Sequence, residues 1–289
     1  DGHAHDPIMP QAEETPFEVT STQNLETTVP DLVDEAKLQD LINSFAPNST
    51  SSVYIIDKTN GVRYGTANSS NSCISSALIN VAVIFTTLYE IDAGSINMQT
   101  PVQFSYNSGG RGILDSSFDG EEVSISQLLS SIFMYSDNNA TNALISFLGG
   151  DTIENVCKQY GCNSVEINAL IAFTDAYNEN YISARDAAEL IGIIWDDKFT
   201  YGKTFLVDNM RIQDAIANSG LSGGIGNNFD IMNHNGVRAT LYNEVTIVSG
   251  SEETYIVVFM GDGSSQENLM NTAQQVGTYV FSCFNNGGF

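Results

Sequence analysis

Three short polar segments of this chain contain the residues that could carry out chemistry. They are residues 76–80, 136–138 and 233–236, which read Ser-Ala-Leu-Ile-Asn, Ser-Asp-Asn and Asn-His-Asn-Gly. A serine hydroxyl attacks a carbonyl carbon when a neighbouring base accepts its proton. Sites of the S-x-x-K type supply this base as a lysine one helical turn after the serine. No lysine occurs between Lys58 and Lys158, so the first segment lacks such a pair.

The first segment must be positioned by the elements around it. Apolar residues at helical spacing predict a helix over 31–45. Strands are predicted over 52–57 and 62–67, joined by a turn at Asn60 and Gly61. Residues 74–91 are apolar in every helical direction, which predicts a helix buried on all sides. The first polar segment therefore lies at the start of a buried central helix.

The rest of the chain predicts a helical block followed by more strands. The block covers about 95–215 and looks all-helical, with helices over 125–135, 139–148, 152–160 and 183–195. Strands over 237–248 and 254–260 and a last helix over about 266–284 follow. This order predicts an α+β fold, an α/β/α sandwich. Its antiparallel sheet comes from both chain ends and is flanked by terminal helices, beside an all-helical subdomain.

The expected domain covers residues 31–289. Its sheet subdomain takes about 31–70 and 218–289, and its helical subdomain takes about 71–217. Residues 1–30 are rich in Thr, Glu, Pro and Gln and predict a flexible leader. The leader begins Asp1-Gly2-His3, which suits copper or nickel binding through a free amino terminus, although a processing scar looks the same. No metal site is predicted in the domain.

Four segments together resemble a known family. Residues 76–81 with 91–94, residues 135–144, residues 180–186 and residues 233–236 look like the nucleophile helix, the Ser-Asp-Asn loop, the start of the next helix and the Lys-Thr-Gly strand of class A serine β-lactamases. The motifs occur in the same order with similar gaps over about residues 31–285. The chain is thus similar to the β-lactamase and penicillin-binding-protein superfamily. This resemblance implies a serine hydrolase fold, β-lactamase or DD-peptidase chemistry and no cofactor.

The chain departs from the family at the first motif. When residues 91–94 are aligned, the nucleophile falls at Ala77 and its lysine at Asn80. Starting the motif at Ser75 or Ser76 does not restore the pair, because an apolar residue then takes the lysine position. Loss of the acylation pair removes several orders of magnitude of rate. The resemblance therefore predicts a catalytically degenerate member with no confident catalytic residue.

The later motifs depart as well. His234 replaces the lysine of the third motif and Asn235 replaces its threonine, while Gly236 is retained. Glu166 is only an approximate counterpart of the carboxylate that activates water in the family. The predicted ligand pocket combines the second and third motifs and consists of Ser136, Asp137, Asn138, His234, Asn235 and Gly236.

Each of these residues also has a purely structural interpretation. Residues 136–138 would cap the helix that follows them, because short polar side chains accept the free amide hydrogens of a first turn. Asn80 would be a satisfied polar residue in a buried helix. His234 would be a strand residue beside an Asn-Gly turn, with Gly236 as the turn glycine.

One alternative retains a catalytic site in the cleft. In the family, the lysine of the third motif lies beside the serine of the second, so here His234 could approach Ser136 and act as its base. No aspartate that would orient His234 is visible in the sequence.

Composition excludes several partner classes. Ten Lys and Arg against 35 Asp and Glu give a net charge of −25, which repels phosphates and anionic lipid. Nucleic-acid binding is therefore not predicted. No apolar run reaches the roughly 18 residues of a membrane span. The resemblance implies a secreted bacterial protein in an extracellular or cell-surface location.

The four cysteines allow a disulfide interpretation. Cys157 and Cys162 bracket a short turn and could close a local loop, which leaves Cys73 and Cys283 as a second pair. Four buried thiols are the alternative, because spacing alone does not determine geometry.

Three functions follow from these observations. The first is a secreted β-lactamase-like pseudoenzyme whose cleft binds a cell-wall peptide or another small surface ligand. The second is a serine hydrolase of β-lactams or peptides that uses the relocated residues Ser136 and His234. The third is a structural or adhesin module with a vestigial cleft.

Overall fold

The computed structural model describes residues 28–106, 112–171, 178–211, 220–223, 225 and 228–285. In these residues the helices are α1 Glu35–Phe45, α2 Ile79–Asp92, α3 Ile125–Tyr135, α4 Asn138–Leu148, α5 Gly150–Gln159, α6 Ala184–Trp195, α7 Lys203–Met210 and α8 Gln266–Asn285. The strands are β1 Thr50–Asp57, β2 Val62–Gly65, β3 Cys73–Ile74, β4 Pro101–Gln103, β5 Glu122–Ser124, β6 Tyr181–Ile182, β7 Asp230–Arg238, β8 Leu241–Ser249 and β9 Thr254–Asp262. The predicted α+β fold is confirmed.

The main sheet is antiparallel and comes from both ends of the chain, as predicted. Its strand order is β2-β1-β9-β8-β7. Strand β1 pairs with β9 along its whole length, from Thr50 opposite Asp262 to Asp57 opposite Tyr255. This pairing joins a strand that precedes the helical block to one that follows it. At the other side of the sheet, β7 is an edge strand.

Two apolar cores lie on the two faces of the sheet. Along β8, Val245 and Ile247 belong to the core that contains α2, while Tyr242 and Val248 belong to the core with α1 and α8. Successive strand residues point to opposite faces, so one strand serves both cores. In α2, ten consecutive residues from Ile79 to Leu88 are buried. The predicted central helix is therefore enclosed on all sides.

The edge strand β7 differs from the sequence prediction. The predicted strand over 237–248 is in fact the end of β7, a turn at Ala239 and Thr240, and β8. Asn235 and Gly236 lie inside β7, so the Asn-Gly turn interpretation is wrong. Asparagine and glycine favour turns locally, but here pairing with β8 and packing on the start of α2 decide their conformation.

The helical block is less purely helical than predicted. It contains two small antiparallel pairs, β3 with β6 and β4 with β5, and the helix α7 that was not predicted separately. Strands of two or three residues are too short to show a periodic pattern. The predicted division into two subdomains remains a prediction.

The disulfide prediction is wrong, because all four cysteines are free thiols. Helix α5 ends in a Schellman motif in which Cys162 N donates to Cys157 O at 3.0 Å and Gly161 N donates to Lys158 O at 3.0 Å. This motif brings the two side chains together as a buried apolar contact. Burial raises the pKa of Cys157 to about 12. Cys73 and Cys283 cannot pair, because they pack on opposite faces of the sheet.

No helix in the described part of the chain is long and apolar enough to cross a membrane. The described residues also contain no group of three or more His, Cys, Asp or Glu side chains placed to hold a metal ion. The leader with its Asp1-Gly2-His3 start lies outside them, apart from residues 28–30.

The carboxyl group of Glu244 is buried in the sheet. Glu244 of β8 accepts hydrogen bonds from Leu221 N at 2.8 Å, from Thr246 Oγ1 at 2.9 Å and from the Tyr242 hydroxyl. None of the ion pairs among the described residues includes it. Burial raises its pKa from 4.5 to about 7. The Glu244 carboxyl thus fastens residues 220–223 to the sheet. Its burial favours the protonated form, an effect that these hydrogen bonds oppose only in part.

We expect Glu244→Gln to change how stability depends on pH. A carboxyl whose pKa is raised by folding favours the folded state when protonated, so its contribution is present at about pH 4 and is lost as the pH rises through 7. The loss amounts to about 3 kcal/mol. Urea unfolding of both proteins at pH 5 and pH 8 measures it. If wild type and Glu244→Gln lose equal stability over this range, the buried carboxyl is not responsible.

Candidate active site

The start of α2 is fixed by contacts from two distant parts of the chain. A 3₁₀ turn at Ser76–Leu78 leads into the helix, and Ser76 has a left-handed φ of 45°. Ser75 N donates to Asn180 O at 2.9 Å, and Asn243 Nδ2 donates to Ser75 O at 2.9 Å. A non-glycine residue with positive φ is strained, and it keeps this conformation only where surrounding contacts hold it. These contacts hold Ser76 and place Ala77 at a half-buried position.

The edge strand β7 lies directly against this helix start at Gly236. A Cβ atom added at Gly236 would fall 2.7 Å from both the nitrogen and the Cβ of Ala77. Real Cβ atoms essentially never approach other atoms so closely, so this strand reaches α2 only because residue 236 is glycine. Gly236 is therefore a close-approach glycine.

Behind this contact, Asn80 and His234 are hydrogen-bonded to each other. Asn80 Nδ2 lies 3.0 Å from His234 Nε2, and Thr141 Oγ1 donates to Asn80 Oδ1 at 2.7 Å. The hydrogen bonds join α2, α4 and β7 in one network. The structure thus brings together two residues that the sequence analysis placed at catalytic positions, and it adds Thr141.

The His234 imidazole is neutral at physiological pH. The residue is only 2% exposed, and burial lowers the pKa of the ring to about 4, an effect that hydrogen bonds with the backbone of Ala77 and Phe133 oppose only in part. The Phe133 ring meets the imidazole edge-on, with ring centroids 5.2 Å apart. Both the ring and the amide of Asn80 are thus uncharged.

In the second motif Asp137 is the helix cap, as the structural interpretation expected. Its Oδ1 accepts Ala140 N at 2.9 Å in the first turn of α4. Its Oδ2 accepts Ile113 N at 3.0 Å and Leu114 N at 2.9 Å. Asp137 is fully buried, and these three backbone N–H groups donate hydrogen bonds to its carboxylate. Asp137 thereby fixes the backbone of Ile113 and Leu114 next to the start of α4.

The other predicted pocket residues are more accessible. Ser136, which ends α3 in a left-handed conformation, Asn138 and Asn235 are all half-buried. Within the described residues, Asn235 Nδ2 makes one long contact of 3.5 Å, with Asn233 Oδ1. Ser136, Asn138 and Asn235 are thus the accessible members of the predicted pocket, whereas Asp137, His234 and Gly236 are buried.

The Ser136–His234 pair is not formed. The His234 ring is bonded to Asn80 and to the backbone of Ala77 and Phe133, and no hydrogen bond in the described residues joins it to the Ser136 hydroxyl. A general base must reach the proton it removes. The geometry therefore gives Ser136 no base.

Residues 164–171 and 178–182 form a wall beside the start of α2, where β6 pairs with β3 and Asn180 O accepts Ser75 N. Glu166 is exposed and pairs through its backbone with Tyr181. Asn142 instead holds Ile171, accepting its N–H at 2.7 Å and donating to its carbonyl at 3.0 Å. Arg238 at the end of β7 forms an ion pair with Glu179, which ties this wall to the edge strand.

Sequence reasoning missed the residues that fix the cleft through their side-chain amides. Asn142, Asn180 and Asn243 each bond to backbone groups of a segment distant in the sequence. Such asparagines carry no periodic signal, and only their contacts identify them. Thr141 lies within the second motif, but the sequence pattern indicates no role for it.

Comparison with known proteins identifies the family of this chain. A model of the beta-lactamase enzyme family matches residues 35–284. The chain belongs to the beta-lactamase enzyme family. No curated protein is significantly similar to it in sequence.

Solved structures of beta-lactamases and related proteins share the fold. The beta-lactamase from Sphaerobacter thermophilus has a TM-score of 0.76 at 15% identity, covering 88% of this chain and 98% of that one. PBP-A has a TM-score of 0.77 at 19% identity, covering 87% and 96%. The class A beta-lactamase from Mycobacterium abscessus has a TM-score of 0.71 at 14% identity, covering 86% and 98%. Identities this low establish the fold alone.

We expect His234 of this beta-lactamase family member to stay neutral far below its usual titration range. Its imidazole Cε1–H signal, followed by NMR between pH 3.5 and 8, should titrate near pH 4. A base whose pKa is lowered by folding stabilises the protein above pH 6.5 and loses that contribution as the pH falls through 4. The His234→Gln variant assigns the signal. Titration near 6.5 in the folded protein would contradict the buried, neutral ring.

Proposed function

We propose that this chain is a beta-lactamase-like pseudoenzyme whose cleft binds a small ligand without forming a covalent bond. The observation that carries the proposal is the 3.0 Å contact between Asn80 and His234. Two neutral side chains bond to each other where the resemblance requires two lysines. Such a network supplies neither a base nor a positive charge.

The residues at this site support neither nucleophilic attack on a carbonyl nor the proton transfer that accompanies it. Ala77 has no atom that can attack a carbonyl, and the Asn80 amide cannot accept a proton. Ser76 has a half-buried hydroxyl beside Ala77, but no lysine or histidine is hydrogen-bonded to it in the described residues. A nucleophilic serine needs an adjacent base. The family reaction is therefore not supported at this site.

The accessible residues of the predicted pocket suit an amide-bearing ligand. Ser136, Asn138 and Asn235 offer one hydroxyl and two amides, which both donate and accept hydrogen bonds. Cell-wall peptides contain many amide groups, and one similar structure, a variant of PBP-A, is an acyl-enzyme complex with penicillin G. A cell-wall peptide is the ligand that we propose, at an extracellular or cell-surface location.

The two alternatives have weaker support. A hydrolase that uses Ser136 and His234 lacks the contact between them. A structural or adhesin role with a vestigial cleft requires the space between Ala77, Ser136 and His234 to be filled. Ser136 remains half-buried and accessible, which favours binding.

We expect no turnover of a chromogenic cephalosporin and no mass increase of the intact protein after incubation with it. The Ala77→Ser variant should also stay unacylated, because the base is still missing. Intact-mass spectrometry checks both proteins, and an active class A enzyme serves as the positive control. An adduct on any serine of the wild-type chain would refute the proposal.

Binding is tested separately by calorimetry with a synthetic cell-wall pentapeptide. Ser136→Ala/Asn138→Ala should weaken binding about tenfold, the loss expected from removing one or two hydrogen bonds. The matched control is Ser44→Ala/Asn48→Ala, which alters exposed residues at and after the end of α1, and it should bind like wild type. Equal affinity of all three proteins would exclude this cleft as the binding site.

A further inference from the structure

The positive charges of this chain are unevenly distributed. Residues 112–157 contain no lysine or arginine. They contain the carboxylates of Asp115, Asp119, Glu121, Glu122, Asp137, Asp151 and Glu154. The cation that precedes this stretch, Arg111, lies outside the described residues. No residue of 112–157 takes part in an ion pair among the described residues.

Four of these carboxylates are exposed on one short segment between Leu114 and β5. Asp115, Asp119, Glu121 and Glu122 are all exposed. Asp115 accepts Ser117 N at 2.9 Å, and hydrogen bonds from Ser117 lower the pKa of Asp115. Asp119 accepts Tyr106 N at 2.9 Å. These bonds hold the segment in a defined shape and leave its negative charge facing solvent.

Exposed apolar residues adjoin this segment. The described part of the chain has eight large exposed hydrophobic residues. Two of them adjoin the segment: Tyr106, whose N–H donates to Asp119, and Ile113, which lies two residues before Asp115. Met134 and Tyr135 end α3, just before Asp137, which accepts Ile113 N. Ile113, Met134 and Tyr135 are each about half exposed, at 50%, 52% and 51%. Clustered exposed apolar groups, unlike scattered ones, mark interaction surfaces.

Hydrogen bonds connect the pieces of this surface. Tyr106 is bonded to Asp119, and Ile113 N donates to the buried carboxylate of Asp137, two residues after Tyr135. These hydrogen bonds link Tyr106 to the acidic segment, and Ile113, which precedes the segment, to the residues that follow α3. We call the rim surface the set Tyr106, Ile113, Asp115, Asp119, Glu121, Glu122, Met134 and Tyr135.

We propose that the rim surface is a docking site for a basic segment of a partner protein that carries both lysine or arginine and apolar side chains. Exposed carboxylates that form no ion pair within the described residues pair with such cations. The tyrosine rings offer both apolar area and a face for cations. The proposal does not depend on ligand binding in the cleft.

Charge argues against the other occupants of an exposed apolar surface. A second copy would bring the same four carboxylates and the same net charge of −25. Anionic lipid and nucleic acid are repelled in the same way. A basic protein segment is the partner whose charge complements the rim.

The test measures binding of a labelled 14-residue peptide of alternating lysine and leucine to the full chain by fluorescence anisotropy. Asp115→Asn/Asp119→Asn/Glu121→Gln/Glu122→Gln should weaken binding about tenfold or more. The control Asp40→Asn/Asp208→Asn/Glu252→Gln/Glu267→Gln removes the same charge from exposed positions elsewhere and should stay within about twofold of wild type. Asparagine keeps the acceptors that Ser117 N and Tyr106 N need, so the fold is retained.

A second pair of variants tests the apolar part. Ile113→Ser/Met134→Ser/Tyr135→Ser should weaken the same peptide, whereas Phe45→Ser/Phe147→Ser/Tyr201→Ser, at other exposed apolar positions, should not. Equal weakening by both charge variants would mean non-specific attraction and would overturn the proposal. So would a dimer in sedimentation that the rim variant abolishes, or binding of wild type to phosphatidylglycerol vesicles.

Discussion

The hydrogen bond between Asn80 and His234 joins the central helix α2 to the edge strand β7 in a place that water does not reach. Both residues are nearly fully buried, and an unpaired polar group there would cost about 1–3 kcal/mol. Thr141 satisfies the remaining oxygen of the amide. The relative position of helices and sheet at the cleft therefore depends on this pair, and the glycine at 236 allows the approach that makes it possible.

The same pair supports the proposal that the site does not carry out acyl transfer. Holding a charged lysine at a buried position requires a compensating charge or many hydrogen bonds, because desolvation of an ion costs several kcal/mol. An amide and a neutral imidazole avoid this cost by bonding to each other. With Ala77 at the position of the nucleophile, no hydroxyl there requires a base, and the hydrogen-bonded pair of Asn80 and His234 acts as a structural support. Its accessible neighbours Ser136, Asn138 and Asn235 are free to contact a ligand.

The positive charges are unevenly distributed in the molecule. Among the described residues, five cations fasten parts of the fold through ion pairs, namely Lys58, Arg63, Arg185, Arg211 and Arg238. The face next to the cleft has none in residues 112–157. Asp137 connects the two regions, because it caps the helix that starts at the cleft and also holds the residues that begin the rim surface. A partner on the rim would thus lie beside any ligand in the cleft.

Much of the fold was predictable because it depends on local patterns. The enclosed helix α2 shows as a continuous apolar segment, the hairpin of β1 and β2 and the late strands show as apolar runs bounded by turn residues, and four ordered motifs indicated the family. The edge strand β7 was not recognised in full, because its buried residues His234 and Gly236 have no apolar pattern. The free thiols were mispredicted, since spacing does not show that Cys73 and Cys283 lie on opposite faces of the sheet.

By itself, the sequence determined that Ala77 and Asn80 occupy the positions where the resemblance places the nucleophile and its lysine, because residue identities do not depend on the fold. It also determined the order of the elements and the excess of negative charge. Only the tertiary structure decided what replaces the missing chemistry. Asn80 and His234 are 154 residues apart, and they meet because pairing of β7 with β8 and packing on α2 exclude water between them. Because water is excluded, each side chain needs the other to complete the hydrogen bonds that Thr141 and the backbone provide in part, a condition that no local pattern records.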